Sequence, residues 1–69
     1  MAILFKEAAG ATRISVRTRT GGVDATVLTG TFGGGGHARA AGATLALPPA
    51  EARPIVIARA VELAAAVER

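Results

Sequence analysis

Phe32-Gly33-Gly34-Gly35-Gly36-His37-Ala38-Arg39-Ala40-Ala41-Gly42 is the most unusual stretch of this 69-residue chain. Each glycine forfeits roughly 0.5–1 kcal/mol relative to alanine inside a helix or strand, so Gly33 to Gly36 are expected to lie outside regular structure. Lacking Cβ atoms, successive backbone N–H groups can converge on an anion as a nest for phosphate. A helical turn starting near His37 would add its own free N–H groups. A flexible linker is the competing reading. Against it, Phe32 and His37 flank the run directly, and the residues behind are small ones that favour close packing. No Lys-Ser or Lys-Thr follows, as a Walker loop requires, and four consecutive glycines lack the dinucleotide spacing. The stretch reads as a phosphate-binding loop.

Working outward, Thr12 to Thr20 alternates. Ile14, Val16 and Thr18 share one face of a strand, and Arg13, Ser15, Arg17 and Arg19 share the other. The cationic face suits an anionic ligand; a charge-guarded edge strand is the plainer alternative. Ala2 to Phe5 reads as a short buried strand, Gly10 as a turn, and Asp24 as the cap of a short helix over 25–29. Ala43 to Leu47 reads as a further strand and Pro48-Pro49 as a turn. The last segment is an amphipathic helix with Pro54 near its first turn. Val56, Ile57, Ala60, Val61, Leu63, Ala64 and Val67 would gather on its packing side. The expected architecture is α/β (α+β): a small mixed sheet of about three strands, with a short helix and a long C-terminal helix packed on it.

Composition bounds the rest. A chain this short forms one domain, residues 1–69, and buries only about 60% of its unfolded surface. Half of the residues are hydrophobic, but the aromatics are Phe5 and Phe32 alone, so the core is thin. Cysteine is absent and His37 is the single histidine, which excludes a disulfide framework and a multi-histidine metal site. Such a chain is expected to dimerise, to dock on another domain, or to be a fragment of a larger one. The net charge is +3, and the excess lies in residues 1–45, with Lys6, Arg13, Arg17, Arg19 and Arg39 against Glu7 and Asp24. That bias favours anionic partners. No signal peptide is legible at Met1, and no stretch approaches the roughly 18 apolar residues of a membrane span. A cytoplasmic protein without membrane contact is the expectation. His37 has no acidic triad partner nearby, so hydrogen bonding to phosphate or stacking on a base suits it better than base catalysis.

The stretch at 32–42 resembles the GGGGHxxAAG signature of the DHH-associated C-terminal domain of DHH-family phosphoesterases. These include RecJ exonucleases, cyclic-dinucleotide phosphodiesterases, and the nano-RNases, oligoribonucleases that also dephosphorylate phosphoadenosine phosphate. Ile14-Ser15-Val16-Arg17-Thr18 is similar to the strand preceding that signature, and Val23-Asp24-Ala25-Thr26-Val27-Leu28 to its short helix. The overall pattern is most similar to the nano-RNase type; a related domain ends alanyl-tRNA synthetases. The resemblance implies that manganese ions sit in a DHH catalytic domain, on the same or another chain, and that this chain recognises substrate without catalytic residues or metal of its own. It implies that Arg17 pairs with a substrate phosphate of a short RNA, DNA or nucleotide phosphate. In the loop from Gly33 to His37, the amides of Gly34, Gly35 and Gly36 would hold the terminal nucleotide's phosphate, and His37 would contact phosphate or base. Arg39 and Arg19 would assist. The family domain carries further strands upstream, which implies a partial domain here with open sheet edges and a homodimer through them. A structural or oligomerisation module without ligand is the alternative.

Overall fold

A computed structural model describes residues 1–67. Its elements are β1 (Ala2–Ala8), β2 (Ala11–Arg17), α1 (Ala25–Thr31), β3 (Gly35–His37), β4 (Ala40–Leu45) and α2 (Pro49–Val67). The strands form one sheet in the order β1-β2-β4-β3, every neighbouring pair antiparallel. The expected mixed sheet of about three strands is thus a four-stranded antiparallel one. The connections explain it. Ala9-Gly10 joins β1 to β2 and Ala38-Arg39 joins β3 to β4, and two-residue loops permit only antiparallel neighbours. Ala9 and Gly10 both take positive φ, 51° and 80°, the turn whose twist matches that of the strands it joins.

Alternation along β2 sorts the sheet into two faces. Thr12, Ile14 and Val16 are fully buried, whereas Arg13, Ser15 and Arg17 are exposed. Both helices cover the first face, where Ile14, Val16, Leu28, Ala43, Leu45, Ala52 and Val56 make the core. Thr12 is accommodated there because its hydroxyl donates to the Leu47 carbonyl at 2.8 Å. β1 is an edge strand rather than a buried one: Ile3 and Phe5 reach the core face, while Leu4 on the other face is 68% exposed.

Two local expectations need correction. Pro49, not Pro54, opens α2: the Pro48 carbonyl accepts from Ala52 N at 2.9 Å, which puts Pro49 at the first helical position. Pro54 lies inside the helix, where it has no N–H to donate to the Ala50 carbonyl. The packing stripe of α2 is narrower than expected, following Ala52, Val56 and Ala60, with Leu63 and Ala64 half-buried. Ile57 and Val61 stay exposed, because a residue one position beyond Val56 or Ala60 is turned some 100° away from the sheet; Val67, the last residue of α2, is exposed as well. No helix among the described residues is long and apolar enough to cross a membrane.

Candidate phosphate-binding face

The glycine run is ordered by the helix before it. Asp24 caps α1, its Oδ1 accepting from Thr26 N at 2.8 Å and from the Thr26 hydroxyl at 2.5 Å. These bonds hold the Asp24 carboxyl below its ordinary range. At the other end Gly33 turns to φ 78°. Its N–H donates to Gly30 O at 3.2 Å, and that of Gly34 to Thr29 O at 2.8 Å. This bond pair is a Schellman cap, and glycine suits the left-handed position it needs. The run therefore follows a helix C-terminus, the end with partial negative charge, and no helical turn begins at His37. The N–H groups of Gly33 and Gly34 are consumed by the cap. The N–H groups of Gly35 and Gly36 lie outside that cap.

The second half of the run is a strand after all. Gly35, Gly36 and His37 pair with Gly42, Ala41 and Ala40. The strand forms where side chains would not fit. A Cβ on Gly34 would lie 2.2 Å from Gly42 O, and one on Gly36 2.6 Å from the Ala41 Cα. Missing side chains let α1 and β3 close onto β4, and that contact offsets the intrinsic cost of glycine in a strand.

The uncovered face of the sheet gathers the polar candidates. Pairing of Arg17 with Ala40, and of Ala40 with His37, sets these three residues in one row across β2, β4 and β3. Arg17 and His37 are both exposed and stand about 10 Å apart at their Cα atoms, two strand spacings. The Ala40 methyl between them leaves a shallow floor where an arginine and an imidazole can close over one phosphate. On this face the charged side chains of β1 and β2 are Lys6, Arg13 and Arg17; Glu7 pairs with Thr12 and belongs to the covered side.

Arg19 and Arg39 sit elsewhere. The strand ends at Arg17, and Arg19 opens a turn closed by Gly22 N donating to Arg19 O at 2.9 Å, with Gly21 at φ 84°. Arg19 lines a cleft of about 500 Å³ with Thr18, Thr20 and Val67. Arg39 Nη1 donates to the Arg19 carbonyl, so Arg39 acts first as a strut between the β3–β4 turn and this loop. Thr18 completes the tie, its N–H donating to Arg39 O and its hydroxyl to Ala38 O, each at 3.0 Å. The structure thus brings Arg17, Gly35 and His37 onto one face and leaves Arg19 and Arg39 beside it. Arg13 and Gly42 are legible in the sequence but are not among its candidate phosphate ligands. Strand alternation had placed Arg13 on the cationic side; only the β2–β4 register puts it against Gly42.

Among the described residues no group of three or more His, Cys, Asp or Glu side chains could hold a metal ion. This donor set does not fit a manganese centre. No curated protein matches the sequence. The family model of the DHHA1 domain matches residues 1–67. The chain therefore belongs to the DHHA1 family, the DHH-associated C-terminal domain of DHH-family phosphoesterases.

Proposed function

We propose that the open sheet face is the substrate-recognition surface of a manganese-dependent, cytoplasmic DHH-family phosphoesterase, of the nano-RNase type, acting on short oligonucleotides or nucleotide phosphates. The observation that carries the reading is the Arg17–Ala40–His37 row, a cation and an imidazole flanking a methyl-sized gap. Arg17 pairs with a phosphate in the geometry a guanidinium favours. His37 donates to the same phosphate or contacts the adjoining base. Gly35 contributes a stretch of this face without a side chain, the Gly36 backbone borders it, and Arg39 holds the neighbouring loop from which Arg19 assists. The metals and the cleavage step belong to a DHH catalytic domain that faces this surface.

Titration with a short RNA or with phosphoadenosine phosphate tests the reading. The double variant Arg17→Ala, His37→Ala is expected to lose binding with little change in thermal stability, both side chains being exposed. Equal binding by the variant and the parent chain would refute it. The chain alone is expected to show no phosphoesterase turnover with added manganese; turnover above a matched blank by the purified chain is the contrary result.

A second reading, an assembly module pairing with its own copy, is favoured by a different observation. Met1, Ile3, Ile57 and Val61 line an apolar groove of about 210 Å³ beside the β1 edge. Light scattering separates the two: a monomer at high concentration with saturable nucleotide binding opposes assembly.

A further inference from the structure

A second cationic row stands on the same face, four residues back along β2. Lys6 pairs with Arg13, and Arg13 with Thr44. Arg13 Nη1 donates to the Thr44 hydroxyl at 3.3 Å. Its guanidinium lies along Gly42, where a Cβ would come within 3.0 Å of Nη2. The missing side chain at Gly42 therefore lets Arg13 lie down over β4, while Arg13 and Lys6 stay exposed. Between the two rows runs a neutral one, Leu4, Ser15, Gly42 and Gly35, in which the Leu4 side chain is 68% exposed.

The spacing of these rows selects a ligand. Four strand residues advance about 13 Å. A stacked nucleic-acid strand carries one charge per roughly 3.4 Å, so phosphates held at both rows belong to nucleotides about four apart. A lone nucleotide phosphate reaches one row only. We infer that Lys6 and Arg13 form a second phosphate station, which makes the face a two-point reader of single-strand length. The inference rests on the reading of the Arg17–His37 row as the first station. Recognition at the second station is electrostatic and indifferent to sequence. Phe5 and Phe32 both pack against the core, so neither phenyl ring offers a platform for base stacking beside the second station. Leu4 offers an intervening base an apolar contact that every base can use.

The test uses the whole chain, a five-nucleotide single-stranded RNA and a nucleoside 5′-monophosphate. The parent chain is expected to bind the pentanucleotide at least about tenfold more tightly. The variant Lys6→Gln, Arg13→Gln should lose about that factor on the pentanucleotide and hold the monophosphate within about twofold. With roughly 0.7 of salt slope per phosphate neutralised, its dependence on log salt should fall from about −1.4 to about −0.7. The variant Arg13→Lys should retain more of the length preference than Arg13→Gln. Equal losses on both ligands, or none on either, would overturn the second station. If Arg17→Ala weakens both ligands while the Lys6, Arg13 variant weakens neither, the first station stands and the second falls. A parent chain that binds neither ligand overturns both.

Discussion

Alanine placed at each glycine of the run in turn should give unequal results, ranked by what surrounds each Cα. At Gly34 the new Cβ would lie 2.2 Å from Gly42 O, 2.5 Å from the Ala43 Cβ and 2.8 Å from the Ala43 Cα. Two of those atoms are backbone, so no rotamer change relieves the clash. The chain after α1 must move away from β4 by an ångström or more. Overpacking of this kind costs about 1–3 kcal/mol, and losing the Gly34 N–H to Thr29 O bond adds about 0.5–1.5 kcal/mol. A loss of about 2–4 kcal/mol is expected. For a domain of this size each kcal/mol moves Tm by about 4–8 °C, so Gly34→Ala should fall at least about 8 °C. Gly36→Ala should be comparably harmful, with φ 141° and a Cβ 2.6 Å from the Ala41 Cα. Gly33→Ala meets nothing within 4 Å but keeps φ 78°, a left-handed cost of about 1–2 kcal/mol. Gly35→Ala has open space and no positive φ, so its stability should stay within about 0.5 kcal/mol of the parent. Thermal and urea unfolding followed by circular dichroism measure the series. Four equal effects, as a flexible linker would give, or Gly35 as the most sensitive site, would refute the packing account.

Other predictions follow from single contacts. Ala9 holds φ 51° in the β1–β2 turn, so Ala9→Asn, the residue this turn prefers beside Gly10, should raise stability by about 1 kcal/mol; an unchanged or lower Tm contradicts it. Asp24 is held below its ordinary value of 3.8 by the Thr26 hydroxyl and N–H. Its ionised form therefore supports α1 above that pH, and the support is lost as pH falls through the folded-state value. Asp24→Asn keeps a capping side chain, so its Tm should track the parent near pH 7 and decline less than the parent below about pH 4. Parallel decline of the two proteins would remove Asp24 as a source of acid sensitivity.

The local alternation of Thr12 to Arg17 was enough to read β2 and its cationic face, because side chains on a strand point to opposite sides whatever the partner strands are. The Asp24 cap and the short helix after it were equally legible, since a cap acts within three residues of its own position. The signature at 32–42 marked the family, a conclusion the match over residues 1–67 supports. What the glycines do was not legible. Taken singly, their propensity argues against a strand, and only the approach of β3 to β4 makes the absence of side chains favourable. The same limit hid the capping of α1 by Gly33 and Gly34, because anion nests and helix caps use the same N–H groups and differ only in what lies opposite them. Pro49 and Pro54 look alike to a rule about first turns, and the Pro48 carbonyl decided between them.

By itself, then, the chain's order of residues determined the period of each element, the sign of the charge on β2 and the family. Tertiary structure decided which cations share a surface. Arg17 and His37 are 20 positions apart in sequence, and Arg13 and Gly42 are 29 apart. The register of β2, β4 and β3 makes neighbours of them across the sheet. Arg19 lies two positions from Arg17 yet leaves that surface, because the strand ends and a turn at Gly21 redirects the backbone. Cross-strand pairing is set by hydrogen bonding and packing among distant segments, and sequence separation carries no trace of it.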